Sequence, residues 1–396
     1  MKHNCHLCGE KCVSVILDFN QQPVCNRFLL NKGDQERKFP LKMGQCFSCG
    51  LIQLINPLPA AHIHPRVGWI HYSEPEDHLV DVAEKIIQLD GINSNASICG
   101  VTQYDIPLIE QLNQRGYHNS WILNPKKDLN IQSETFGCET IVEKLSEGDI
   151  SRHLNSKEQP DIIIASFVLE HTPDIHAFLS TVRQFVKPTG YVIFQVPDFQ
   201  TSLELLEYSS IWEEHVSYFT LPTFENCSHL GGFKPVWTAS YQEQAVLCTI
   251  WRPAKKAEKT LIKQSDLDAQ RLLGDKYKKG FEKIKSKVQT QLTAFKKNTG
   301  KIAILGAGHQ ACQFVNLFDI GENIEFVVDD FEKKQGLFMP GSHLEIKSSD
   351  HLLIDNIKLC LLAVSKNLHS KIVLKNQQFI QKKGRFESVY KDWTVA

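Results

Sequence analysis

"DIIIASFVLEHTPD", Asp161–Asp174, decides the fold. A short apolar run stops at Glu170-His171 and gives way to "IHAFLSTVRQFV", whose apolar residues recur at helical spacing. Such a run suits a strand buried on both faces, as parallel strands are. The pattern repeats on either side: "ASICGV" precedes "IPLIEQLNQRGY", and "GYVIFQVP" follows the quoted helix. Strands alternating with amphipathic helices predict a parallel sheet with helices on both faces. Ligands of open α/β sheets bind beyond the carboxyl ends of strands, so His171 stands in a ligand-binding position. Pro197-Asp198 at the next strand end predicts one shared crevice. A histidine after a strand is also an ordinary structural residue.

Upstream, residues 1–60 are rich in Cys, Gly and Pro with short apolar pieces, a module with little core. A module that small needs a metal or disulfides to stay folded. Cys5-x-x-Cys8 and Cys46-x-x-Cys49, each followed by glycine (Gly9, Gly50), supply four thiolates for a tetrahedral Zn²⁺. Such a site has no open position, so the zinc is predicted to be structural and catalysis to lie elsewhere. Cys12 and Cys25 read as small buried residues. The opening "MKHNCHLCGE" has no apolar stretch of a signal peptide, so the twelve cysteines read as reduced thiols or metal ligands. Lys and Arg number 44 against 45 Asp and Glu, which gives no overall pull toward nucleic acid or membrane. No apolar run approaches the ~20 residues of a membrane span. The expectation is a soluble cytoplasmic protein with a small-molecule partner, its oligomeric state left open.

Downstream, 255–298 is lysine-rich and free of proline, with Tyr277, Phe281, Ile284, Val288 and Phe295 at three- and four-residue steps. This predicts an amphipathic helical connector with a solvated lysine face. A second α/β unit over 299–396 follows from the strand-like runs "KIAILGAG", "IEFVVDD" and "LCLLAV". "KIAILGAGHQA" reads G-x-G-x-x-A, and Asp329 lies about twenty residues beyond it, the spacing of a dinucleotide fingerprint. Gly306, Gly308 and Asp329 are the candidate nucleotide-binding residues, although Rossmann-like domains without a nucleotide carry the same pattern.

"YSSIWEEHVSYFTLPTF", Tyr208–Phe224, sets Glu213, Glu214 and His215 between Trp212 and Tyr218. Charged residues among rings form either a wet surface turn or a walled proton-transfer site.

In this order the parts resemble the zinc-containing sugar C-methyltransferases, which methylate a ring carbon of keto nucleotide sugars. The resemblance covers nearly the whole chain, through "LDFNQQPVCNRF", "FPLKMGQCFSCGLIQL", "VLEHTPDIHAFL", "GYVIFQVPDF" and "FVVDDFEKKQGLFMPGSHLEI". It implies a zinc module (1–60), a class I methyltransferase-like, Rossmann-like domain for S-adenosylmethionine (61–254), the helical connector (255–298) and a C-terminal Rossmann-like domain (299–396). The family's "YHEHlsY" segment carries Glu214, His215 and Tyr218 over to the reacting centre, and its upstream histidine matches His171. Trp212 stands where the family has tyrosine, and Glu213 where it has histidine. The cofactor turn also departs. Only Gly100 remains in "SICGVTQYD", with Thr102 beside it, and Asn124 replaces the carboxylate that usually holds the ribose.

The activity so implied is S-adenosylmethionine-dependent methylation of a carbon alpha to the ketone of a nucleotide-linked sugar or related metabolite. It needs a base for the carbon acid and a donor toward the enolate oxygen. His215 is the expected base with Glu214 orienting it, His171 the expected donor, and Glu213 a carboxylate that raises a neighbour's pKa. Two other readings share the scaffold: a non-methylating, epimerase-like enzyme, and a sugar-nucleotide-binding protein without catalysis. The reduced glycine turn favours these two; the Glu214-His215 pair favours chemistry.

Overall fold

Among the described residues three sheets order the chain. The computed structural model describes residues 2–63, 76–133, 136–146, 158–241, 245–255 and 262–393. In the first sheet β1 (Val13–Pro23), β2 (Lys38–Cys46) and β3 (Ile52–Leu54) are antiparallel neighbours. Its fourth strand comes from far along the chain: β8 (Ser217–Tyr218) pairs with β3, Ile52 opposite Tyr218. The N-terminal module is thus closed by the two residues that follow Glu213-Glu214-His215-Val216.

In the second sheet β4 (Ile98–Gly100), β5 (Ser120–Ile122), β6 (Ile162–Ser166) and β7 (Tyr191–Pro197) are parallel. The hairpin β9 (Phe233–Tyr241) and β10 (Val246–Pro253) extends it, β10 antiparallel to β7, in the order β5-β4-β6-β7-β10-β9. The β6 run Ile162–Ser166 is buried throughout because helices cover both faces. The helix Ile175–Phe185 lays Ile175, Phe178, Leu179, Val182 and Phe185 on the sheet, and Asp174 starts it by accepting the Ala177 N–H. Strand order reverses between β4 and β6, so the crevice falls at their carboxyl ends.

The third sheet is parallel throughout, in the order β13-β12-β11-β14-β15. Its strands are β11 (Ile302–Leu305), β12 (Val327–Val328), β13 (Ile346–Lys347), β14 (Leu359–Leu362) and β15 (Arg385–Ser388).

The lysine-rich stretch folds as one helix, Gln264–Asn298, with residues 256–261 outside the described set. It is more than a link. Tyr277, Phe281, Ile284 and Val288 are buried in a cluster that takes Phe19 from the first module, Tyr208 from the central domain and Phe318 from the last. The Phe281 ring meets Phe19 edge-on at 5.1 Å, and the Tyr208 hydroxyl donates to the Tyr277 carbonyl at 2.7 Å. Each such buried ring contributes about 1.5–3 kcal/mol, so this helix fastens the three units around one core. The first module also meets the last directly, Leu29 and Phe338 exchanging two backbone hydrogen bonds. No helix among the described residues is long and apolar enough to cross a membrane.

Candidate active site and metal centre

Cys5, Cys8, Cys46 and Cys49 converge, with Cys5–Cys49 and Cys8–Cys46 sulfurs each 3.6 Å apart. A Zn–S bond of about 2.3 Å sets tetrahedral sulfurs about 3.8 Å from one another, so the four fit that ion. Both knuckles turn alike: Gly9 N–H donates to the Cys5 carbonyl and Gly50 N–H to the Cys46 carbonyl, with φ of 73° and 80°. Left-handed φ at these positions explains the two glycines. Cys12 lies at the rim, 3.3 Å from the Cys46 sulfur.

The stretch at 208–224 is not a surface turn. Glu213, Glu214, Trp212 and Tyr218 are all at most 7% exposed. The Val216 N–H donates to the Glu170 carbonyl at 2.7 Å, which joins this stretch to the turn after β6. His171 Nδ1 lies 2.8 Å from Glu139, a residue of the helix Cys138–Ser146. Burial depresses His171, but Glu139, Glu170 and the Glu214 backbone together outweigh it and raise its pKa above the ordinary value. Burial lifts Glu170 to about 7, and its Oε2 has no hydrogen-bond partner.

The His215 ring forms no hydrogen bond among the described residues. It is held by rings instead: His171 edge-on at 4.9 Å, Trp212 at 4.9 Å and Tyr218 at 6.4 Å. Burial, then His171 and His309, hold its pKa well below the usual range. His215 is therefore a neutral imidazole at neutral pH.

Three expectations about this cluster change. Glu214 does not orient His215; it accepts from Asn26 and sits within 4.8 Å of His171 and Glu139. His171 is not a free donor: Nδ1 lies against Glu139, and the ring also bonds the Glu214 backbone. Tyr218 is a fastener: its hydroxyl accepts from the Trp212 N–H at 3.1 Å and donates to the Trp212 carbonyl at 3.3 Å. Glu213 accepts the Cys25 N–H at 2.6 Å, and burial lifts it to about 7.

The nucleotide fingerprint of the last domain is spent on its own loop. Asp329 accepts from the Ala307 and Phe331 N–H groups, both at 2.9 Å, and pairs with Lys334 at 3.2 Å. Both carboxylate oxygens thus have partners within the domain itself. A side chain at Gly306 (φ 104°) would meet Val364 and the Ala363 carbonyl, so close packing of β11 on β14 requires that glycine. Gly308 faces open space. The residue after it, His309, stacks on Trp212 at 4.0 Å and 18°.

With this geometry in view, three family matches cover the chain in order. "Putative zinc binding domain" matches residues 5–64, "Methyltransferase domain" 87–238, and "C-methyltransferase C-terminal domain" 258–389. The chain is built as an S-adenosylmethionine-dependent C-methyltransferase. C-methyltransferase NovU of Streptomyces niveus is 23% identical over 412 residues, 96% of this chain and 94% of NovU. Among solved structures, an S-adenosylmethionine-dependent methyltransferase from Clostridium acetobutylicum matches 46% of this chain and 93% of its own, at TM-score 0.32 and 11% identity. The Burkholderia thailandensis 1,6-didemethyltoxoflavin-N1-methyltransferase, solved with S-adenosylhomocysteine, matches 46% and 80%, at TM-score 0.33 and 12% identity.

Within the methyltransferase domain the turn after β4 is closed from inside. Asp105 accepts the Val101 N–H at 2.8 Å, the Thr102 N–H at 2.9 Å and, across to β6, the Ser166 N–H at 2.8 Å. Thr102 uses its hydroxyl to accept the Tyr104 N–H. Gly100 does not open the backbone to a ligand: a Cβ there would lie 2.3 Å from Ile122 and 3.0 Å from Asp105 and Ile109. Packing demands this glycine. Asn124, just past β5, is exposed; its side-chain oxygen accepts the Lys127 N–H, and its amide nitrogen forms no bond among the described residues. That open donor at a strand end suits a ribose hydroxyl, so the residues present fit the cofactor at this edge of the crevice.

Sequence reasoning missed Glu139, Asn26, Cys25 and His309 as neighbours of this cluster. Asn26 and Cys25 lie in "LDFNQQPVCNRF" and His309 in "GAGHQA", both stretches that were already marked; Glu139 sits in a helix with no motif around it.

Proposed function

We propose that this methyltransferase alkylates a carbon alpha to a ketone in a nucleotide-linked sugar or closely related metabolite, with His215 as the base that makes the carbon nucleophilic. The observation that carries this reading is the His215 ring itself: neutral, without a hydrogen-bond partner, and walled by His171, Trp212 and Tyr218 beside the carboxyl end of β6. An unpaired neutral imidazole keeps a ring-nitrogen lone pair free to take a proton.

The neighbouring residues divide the work. His171, raised in pKa beside Glu139, stabilises the enolate electrostatically in its protonated form, and burial with the charge of His171 keeps His215 unprotonated. Glu213 and Glu214, anchored by Cys25 and Asn26, fix the backbone from which His215 projects. Asn124, at the end of β5, would hold S-adenosylmethionine, which would supply an electrophilic methyl group. The sugar as substrate rests on the resemblance described above and on the fit of this site to a carbon acid.

Solvent deuterium exchange at the alpha carbon of nucleoside-diphosphate keto sugars tests the base. His215→Ala should slow exchange by roughly 10²–10⁴, the usual contribution of a positioned base. Exchange at the parental rate in that variant would remove His215 from the role.

A further inference from the structure

We infer that the helix His309–Phe318 of the C-terminal domain forms a wall of the same site, and that His309 is a catalytic residue that donates a hydrogen bond to the oxygen of the enolate formed at His215. The inference rests on the preceding reading and names a group from a different domain.

Geometry comes first. The His309 ring stacks on Trp212 at 4.0 Å, and its centroid lies 6.5 Å from that of His215. Trp212 thereby touches two imidazoles, one from each domain. Gln313 follows His309 by one helical turn on the same face. Its Nε2 donates to the Cys25 sulfur at 3.3 Å, and the Cys25 N–H donates to Glu213. This chain of contacts runs from the last domain through the first to the central one.

The unmet hydrogen bonds come second. Trp212 Nε1, Glu213 Oε2 and Gln313 Oε1 are buried without a partner, on residues no more than 5% exposed. A buried polar atom left unpaired costs about 1–3 kcal/mol, so three around one niche amount to a standing cost that a polar ligand would relieve. One donor and two acceptors match a ring bearing hydroxyl groups. Approach beside them is clear, since nothing lies within 4 Å of where a Gly308 Cβ would stand.

The remaining question is which group faces the enolate oxygen. Tyr218 has its hydroxyl on the Trp212 backbone, and the His171 ring is held between the Glu139 carboxylate and the Glu214 backbone. No phenol stands at position 212. His309 is the ring left over, and burial, His171 and Lys334 hold it neutral, with a pKa near 3. A neutral imidazole carries one N–H to donate.

Alpha-deuterium exchange into nucleoside-diphosphate keto sugars, with kcat and KM resolved, tests the assignment on the full chain. His309→Phe keeps a ring on Trp212 but has no N–H, and His309→Gln keeps an N–H. The Phe variant should lose roughly 10²–10³ in kcat, the cost of one oxyanion donor, with KM little changed. The Gln variant should recover at least part of that loss. Parental kcat in a folded His309→Phe would overturn the inference, and so would equal losses in both variants. Gln313→Met should instead raise KM. A parent chain that exchanges no keto sugar of the panel refutes the carbon-acid reading itself, and this inference with it.

Discussion

His171 Nδ1 and the Glu139 carboxylate lie 2.8 Å apart, both nearly enclosed, at the point where the turn after β6 meets the helix Cys138–Ser146. This pair sets the charge of the crevice. His171 is raised above its ordinary pKa, so its cation persists to higher pH than that of an ordinary histidine and disappears as pH rises through the raised value. Turnover should therefore fall as pH rises through that raised value. Glu139→Gln removes the carboxylate and should bring that alkaline limb to lower pH. The same linkage applies to folding: the pair's stabilisation is complete below the unfolded histidine pKa and is lost as pH climbs through the folded one. An alkaline limb identical in parent and Glu139→Gln would rule the pair out as its source.

Tyr218→Phe separates fastening from chemistry. The hydroxyl closes two hydrogen bonds on the Trp212 backbone, and its loss leaves both backbone groups buried and unpaired. The expected cost is about 1–3 kcal/mol in denaturant unfolding. Activity per folded molecule should fall far less than for His215→Ala. A variant as stable as the parent but almost inactive would restore Tyr218 to the reacting atoms.

Gly100→Ala distinguishes packing from cofactor approach. The added methyl would press on Ile122, Asp105 and Ile109, and overpacking of this kind costs about 1–3 kcal/mol. S-adenosylhomocysteine affinity, measured by calorimetry well below the unfolding midpoint, should stay close to that of the parent. Asn124→Ala should show the opposite split, weaker binding with little loss of stability. Reversed results would put the ligand against β4 rather than over the end of β5.

The sheets were legible because a buried run such as Ile162–Ser166 has one physical use, and four cysteines in paired knuckles have one common ligand. The site was legible only in outline. His171, Glu213, Glu214 and His215 stand out as residue types beside apolar runs, yet spacing says nothing of which partner each meets. Glu214 turns to Asn26, 188 positions away, and Glu213 to Cys25, also at a separation of 188. The fingerprint at Gly306–Asp329 shows the same limit. An aspartate at that distance fits a ribose, and it equally fits the Ala307 N–H and Lys334 it holds here. Hydrogen-bond competition within the fold leaves no trace in spacing.

The zinc centre should matter to the site as well as to the module. Elemental analysis is expected to find about one zinc per chain, and Cys46→Ser to lower both metal content and stability, since a closed thiolate site contributes its binding energy to folding. The path onward is short. Cys46 ends β2, β2 pairs with β3, and β3 pairs with Ser217 and Tyr218. The His6 N–H, between the first two cysteines, donates to Gln53 of β3, and the His6 ring lies 3.3 Å from the Ser217 hydroxyl. Tyr218 in turn grips Trp212, whose ring stacks on His309. Loss of the metal should therefore raise amide hydrogen exchange first in β3 and β8, and then at 212–216, while the parallel core of β6 and β7 stays protected. Activity should fall with the exchange at 212–216 and return when zinc is restored to refolded protein. If stripping the metal leaves exchange at Ser217–Tyr218 unchanged, the module holds itself together without the ion and has no hand in placing His215.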